Sequence, residues 1–274
     1  MIKKTVIVFM VLFGLLNWWS YFWEGINIKE HAGVYIRNNV RHEKYLFSDK
    51  KYDMVLVGTS MSSNLNMSKI SESGYNLSTE GGNMFSGISL IQKKGALPKH
   101  ILIEMNALVR SEIDLIMQPY QKQLFNDIRS NLPLLQSKNR IICNSIVNSI
   151  PLYEKAIHIL PKKAINRSVN NKDLKPISQI KKEDLNYNLN RLDSLIQFTQ
   201  EKGIKITFVE LPYDKERQDP EYTSVLEKID EYKELDHIQT LYSKEFKDFE
   251  LTDHVHMSLE SSERFSEWIS ERVK

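Results

Sequence analysis

The sequence predicts an α/β protein: a doubly wound parallel sheet covered by helices on both faces, preceded by one N-terminal transmembrane helix. Three observations predict it. Short apolar runs bounded by turn residues, Met54–Val57, Tyr75–Leu77, Ile101–Met105 and Ile204–Leu211, suit strands buried on both faces of a parallel sheet. Helix-period segments alternate with the later runs. A stretch without charge opens the chain.

That opening stretch, Thr5 to Trp23, holds about 19 residues, and at 1.5 Å per residue it spans about 28 Å, near the roughly 30 Å of a hydrocarbon core. Lys3 and Lys4 precede it and favour a cytoplasmic N-terminus, although Lys29 and Arg37 beyond it make the bias modest. Trp18, Trp19, Tyr21, Phe22 and Trp23 crowd the far end, where amphipathic rings prefer the membrane interface. No small-x-small cleavage site follows, so an uncleaved anchor (residues 1–23) is expected rather than a signal peptide. A buried core helix is the remaining alternative. With an anchor of this orientation, the protein is a single-pass protein of the cytoplasmic membrane with its main domain extracytoplasmic.

Residues 24–50 read as a polar, partly helical juxtamembrane connector, and 51–274 as the α/β domain. Residues 107–184 break the strand–helix rhythm and carry Pro119, Pro133, Pro151, Pro161 and Pro176, so they read as a mostly helical insertion after the third strand. An insertion there lies near the ligand crevice of such a sheet, as a lid or as plain elaboration. Leu185, Leu189, Leu192, Ile196 and Phe198 predict a helix that stops at Gly203 before the strand Lys205-Ile206-Thr207-Phe208-Val209. Val225, Ile229, Tyr232 and Leu235 predict another helix, with a strand near Ile238–Tyr242 after it. The last helix is expected from the N-cap Ser258, with Glu260 in its first turn and Phe265, Trp268 and Ile269 buried.

Composition narrows the function classes. Apolar residues at 41% and charged residues at 26% suit a folded chain of 274 residues. The net charge of +2 arises from interspersed acids and bases, which gives no electrostatic footprint for nucleic acid. Cys143 is the only cysteine, so no intrachain disulfide forms, and one thiol does not report the redox compartment.

Chemistry-bearing residues fall at the ends of the predicted strands. Ser60 follows the first run, with Gly58 permitting a tight turn, and is expected to open a helix whose N–H groups face an acyl oxygen. A helix N-cap is its bland reading, and Gly87-Ile88-Ser89 is a second Gly-x-Ser. Of seven histidines, only His256 has an aspartate, Asp253, three residues earlier. On a turn that spacing lets the carboxylate hold the imidazole while its other nitrogen faces a hydroxyl. His254 opens a metal-site alternative, yet no further His/Asp/Glu cluster completes a ligand set, so no metal and no cofactor are expected. Asn106 closes the third run and could donate an amide N–H to an oxyanion; Gly81 could offer a backbone N–H. Taken singly, both read as turn residues.

Together, Gly58-Thr59-Ser60, Asn76-Leu77-Ser78-Thr79-Glu80-Gly81, Glu104-Met105-Asn106 and Asp253-His254-Val255-His256 resemble the four blocks of the SGNH (GDSL-type) hydrolase superfamily. The resemblance covers about residues 50–274 and implies a flavodoxin-like three-layer α/β/α fold. It implies Ser60 as nucleophile, His256 as general base and acid, and Asp253 as its orienter. The oxyanion hole would comprise the N–H groups of Ser60 and Gly81 and the Asn106 side chain. The sequence departs from the family with Thr59 for aspartate, Glu104 for glycine and Ala107 for aspartate. An α/β-hydrolase elbow fits less well, because Ser62 stands where Gly-x-Ser-x-Gly needs glycine.

Anchored extracytoplasmic members of that superfamily add or remove acyl groups, commonly acetyl, on surface polysaccharides; examples are alginate acetyltransferases and partners of membrane O-acyltransferases. The resemblance therefore implies a serine esterase or O-acyltransferase acting on an acylated cell-envelope glycan, with a membrane O-acyltransferase as a further partner. The alternatives are a non-catalytic binding or scaffold module of an envelope assembly and a metal-dependent hydrolase.

Overall fold

Four apolar residues, Met54–Val57, make the central strand β1, and every one of them is buried. The computed structural model describes residues 2–22, 33–111, 114–139, 180–214 and 218–273. Strands β2 (Gly74–Asn76), β3 (His100–Glu104), β4 (Lys205–Val209) and β5 (Ile238–Leu241) join β1 in a five-stranded parallel sheet of order β2-β1-β3-β4-β5. That is the flavodoxin-like order, in which the chain reverses direction across the sheet between β1 and β3 and opens a crevice at their carboxyl ends. The register pairs Val57 with Ile103, so Gly58 leaves the sheet beside Glu104.

Alternation along the strands sends side chains to two cores. Met54, Leu56 and Leu102 meet Met67, Ile70, Phe265, Trp268 and Ile269, from a short helix Met67–Ile70 and the last helix Leu259–Ser270, on one face. On the other face a helix Met84–Lys94 packs so closely that a Cβ on Gly87 would lie 2.7 Å from a Val57 methyl. In chain order these helices are α3 (Met67–Ile70), α4 (Met84–Lys94) and α9 (Leu259–Ser270). They are joined by α1 (Ile2–Phe22), α2 (Val34–Leu46), α5 (Asp114–Gln121), α6 (Gln123–Asn131), α7 (Lys182–Lys202) and α8 (Tyr222–Asp230). Each fully buried aliphatic side chain in such a core contributes about 1.5–3 kcal/mol.

The strands lie within a residue or two of their expected positions, and the helices differ more. Helix α7 does stop at Gly203, in the left-handed conformation with its N–H bonded to the carbonyls of Thr199 and Gln200. Its buried side is Leu185, Asn188, Leu192, Leu195, Ile196 and Thr199, while Leu189 and Phe198 are half-buried. Helix α8 ends at Asp230, so Tyr232 and Leu235 sit in the turns after it. Ser258 caps α9 by accepting from Ser261 N–H at 3.1 Å, and Phe265, Trp268 and Ile269 are buried.

The described residues divide into two compact units, one comprising Met1–Phe47 and Met117–Asn170, the other Ser48–Ile116 and Asn171–Lys274. Of the expected connector, residues 33–47 fall in the first unit and 48–50 in the second. In α2, Asn39 Oδ1 accepts from Tyr120 Oη at 2.9 Å, and buried Glu43 pairs with Arg129 at 2.9 Å and accepts from Ser137 N–H at 2.5 Å. The expected insertion is likewise divided, because α7 from Lys182 belongs to the sheet unit. Cys143, Pro151, Pro161, Pro176 and Trp23 lie outside the described residues. The expected anchor run falls on α1, whose apolar side chains Val6 to Leu12, Leu15 and Leu16 are exposed. Among the described residues no helix is long and apolar enough to cross a membrane.

Candidate active site

Gly58 follows β1 at a point where an added Cβ would collide with Ser62 Oγ and Glu104 Oε2 and would lie 2.7 Å from Glu104 Cβ. The chain then enters a run of turns at residues 60–64, with Ser60 O accepting from Ser63 N–H at 3.4 Å and from Ser63 Oγ at 2.8 Å. Ser60 therefore does not open a helix: α3 starts seven residues later and has Asn66 as its own cap. No helix N-terminus stands at Ser60 to supply a dipole.

The turn is pinned from both neighbouring strands. Glu104, at the end of β3 and 0% exposed, accepts from Thr59 N–H at 2.7 Å, Thr59 Oγ1 at 2.6 Å and Ser62 Oγ at 2.6 Å. Thr59 Oγ1 accepts in turn from Met61 N–H at 3.2 Å, and Ser62 Oγ shares a hydrogen bond with Ser78 Oγ at 2.7 Å. From β2, the Asn76 amide donates to Ser62 O at 2.8 Å and Leu65 O at 3.1 Å. Ser60 is flanked by residues whose backbone or hydroxyl groups are tied down.

The imidazole arrives on a small hairpin. Leu251 and Met257 form an antiparallel bridge, and Thr252 N–H donates to His256 O at 2.8 Å. Between them Val255 is buried in the core, which turns its neighbours His254 and His256 outward. Asp253 closes the turn by accepting from His256 N–H at 2.8 Å and Val255 N–H at 3.2 Å. Its other oxygen lies 2.7 Å from His256 Nδ1, and His256 Nε2 lies 2.9 Å from Ser60 Oγ. An ionised carboxylate only accepts, so Nδ1 carries the proton and Nε2 accepts from the serine hydroxyl. Burial pulls the Asp253 carboxyl upward, but the His256 N–H groups and imidazole and the Val255 N–H outweigh it and hold it below the usual carboxylate range.

His254 has a left-handed backbone, φ 67°, and its Nδ1 lies 3.1 Å from the Asp214 carboxylate, while Asp214 N–H donates to His254 O at 2.9 Å. It is turned to the loop after β4, away from a shared metal site with His256. Among the described residues no group of three His, Cys, Asp or Glu side chains could hold a metal ion.

Asn106 sits in the 3-10 turn Met105–Val109 and is buried. Its Oδ1 accepts from Leu211 N–H at 2.8 Å, which fixes the amide orientation and leaves the Nδ2 hydrogens pointing elsewhere. Gly81, φ 73° and exposed, lies in the loop after β2, where an added Cβ would meet open space. No hydrogen bond joins Asn106 or Gly81 to Ser60 or His256. The second Gly-x-Ser, ending at Ser89, lies inside α4.

The geometry thus joins Ser60, His256 and Asp253 in one hydrogen-bonded chain able to move the serine proton to an imidazole. Glu104, Asn76 and Asp214 are the supporting residues that sequence reasoning missed. Glu104 carried a usable signal, since a charge in a strand buried on both faces demands a polar partner.

No family model and no curated protein matches the chain. A solved structure from Streptococcus pneumonia, described provisionally as a platelet activating factor, is similar with a TM-score of 0.40 and 14% identity, over 96% of this chain and 95% of that one.

Proposed function

We propose that this chain is an SGNH-like serine esterase or O-acyltransferase, anchored in the cytoplasmic membrane, that acts on O-acyl groups, acetyl foremost, of extracytoplasmic polysaccharide. The observation that carries the reading is the chain of contacts Ser60 Oγ, His256 Nε2, His256 Nδ1 and Asp253, at 2.9 and 2.7 Å. His256 takes the Ser60 proton as Oγ attacks the acyl carbonyl, and the charge that grows on the carbonyl oxygen is met by N–H donors of Ser60, Gly81 and Asn106 Nδ2. Collapse expels the sugar oxygen, which leaves with the proton from Nε2, and an acyl-Ser60 remains. Water or another sugar hydroxyl then gives its proton to Nε2 and attacks the acyl carbon, and Ser60 Oγ departs with that proton from Nε2. Asp253 stays ionised throughout and holds the ring.

The anchor reading is supported by the charge-free run Thr5 to Trp23, which continues past the end of α1 at Phe22, and by the exposure of Val6 to Leu12, Leu15 and Leu16. The polysaccharide and acyl identity rest on the family resemblance. Full-length protein in detergent should hydrolyse an activated acetate ester and accumulate an acetyl group on Ser60, read by peptide mass spectrometry. Full activity in Ser60→Ala, or acylation mapped to another residue, removes the nucleophile assignment. If the native chain neither turns over esters nor reacts with a fluorophosphonate, the scaffold reading replaces this one.

A further inference from the structure

Helix α6 exposes large apolar side chains while a polar one, Asn126, is buried. Leu124 and Ile128, exposed at 68% and 37%, share one side at i and i+4, and Phe125, exposed at 53%, flanks them. Asn126 and Arg129 point the other way, Asn126 buried and donating to Tyr120 O at 2.8 Å and Arg129 paired with Glu43, while Gln123 and Asp127 pair with each other at 2.8 Å among the exposed residues. Helices on a water-facing surface bury their apolar residues, so Leu124, Phe125 and Ile128 suit an apolar surrounding. The pattern is concentrated in one unit. Outside α1, six of the nine large apolar side chains exposed among the described residues are Val34, Tyr35, Leu124, Phe125, Ile128 and Leu135, all in the first unit.

The same unit contains α1 and sets the level of the patch along it. Leu134 N–H, in the turn Pro133–Leu135 that follows α6, donates to Asn17 Oδ1 at 3.2 Å. Asn17 stands where the apolar run passes into Trp18 and Trp19, the part of a membrane helix that lies at the headgroup level. Residues 33–47 and 117–139 carry Arg37, Arg41, Lys44, Lys122, Arg129 and Lys138 against Glu43 and Asp127, a balance that favours anionic headgroups.

We infer that the apolar side of α6 and the turn after it lie in the interface of an anionic bilayer, beside the point where α1 leaves it. The platform rests on the anchor reading. With nine residues α6 cannot span; it lies in the plane, its leucine, phenylalanine and isoleucine among the upper acyl chains. Such a seat would hold the first unit against the membrane rather than on a free tether.

The test uses the full chain with Cys143→Ser, reconstituted in nanodiscs of phosphatidylcholine with phosphatidylglycerol. A single NBD label is attached through Phe125→Cys, Phe9→Cys or Tyr187→Cys. The label at 125 should be quenched by a shallow doxyl lipid and should be shielded from aqueous iodide about threefold or more relative to the label at 187. If position 9 is quenched by lipid while 125 behaves like 187, the platform is overturned and the anchor stands. If position 9 is itself open to iodide, the anchor reading falls and takes the platform with it. Protection at 125 from iodide without quenching by lipid means that protein covers the patch, which also overturns the inference.

Discussion

Glu104→Ala removes one carboxylate and strands three buried donors: Thr59 N–H, Thr59 Oγ1 and Ser62 Oγ, now held at 2.6–2.7 Å. An unsatisfied buried donor costs about 1–3 kcal/mol, and with relaxation and water entry the net loss should be on the order of 3–6 kcal/mol. In a domain of this size that lowers Tm by roughly 6–24 °C. Glu104→Gln should cost less, about 1–2 kcal/mol, because its oxygen keeps Thr59 N–H and Ser62 Oγ while its amide donates to a rotated Thr59 hydroxyl. Reactivity should fall alongside stability, since Ser60 lies between Thr59 and Met61 and a misplacement of about 1 Å costs on the order of 10²-fold. Thermal unfolding and the rate of fluorophosphonate labelling at Ser60 measure the two effects on one preparation. An alanine variant that melts within about 1 kcal/mol of wild type and labels at the same rate would refute the view that this carboxylate sets the turn.

Gly58→Ala should destabilise by about 1–3 kcal/mol, because its Cβ enters the space of Ser62 and Glu104; the penalty should shrink in a Glu104→Gly background, as melting of the four variants would show. Asn106→Ala should lower turnover of an activated acetate ester by about 10²-fold, and a loss under about twofold excludes its amide from the oxyanion site. Burial, aided by the Lys205 charge, pushes His100 down to about 4, below its unfolded value near 6.5. Stability from this group is therefore complete above about pH 6.5 and is lost as pH falls toward 4, a total near 3 kcal/mol. His100→Asn should flatten the Tm decline between pH 7 and 5; a decline as steep as wild type's would contradict the assignment. His42, pushed to about 3, keeps its own acid slope in that variant.

The sheet was legible because Val, Ile and Leu runs such as Val55–Val57 and Ile101–Ile103 have few other places to go. Ser60, Asp253 and His256 stood out by type and order, but their meeting depends on contacts nearly two hundred residues apart, which no local pattern carries. Glu104 looked like a departure from a family block, yet the fold uses it to fasten the turn beside it, and Gly58 exists as its steric complement. The helix expected at Ser60 failed because the backbone closes i to i+3 turns instead, Ser63 N–H to Ser60 O and Leu65 N–H to Ser62 O, with the Asn76 amide taking the Ser62 and Leu65 carbonyls. Leu235 misled because periodicity ran on past the turn that ends α8.

His254 holds a backbone conformation that costs a non-glycine residue on the order of 1–2 kcal/mol, and two bonds to Asp214 brace it. Asp214 is half-buried and lies outside the strand pairing, beyond the end of β4. A change there tugs on the turn that aims the His256 imidazole. Residues 214 and 253–256 are thus yoked: a substitution at Asp214 should displace His256 as well as His254.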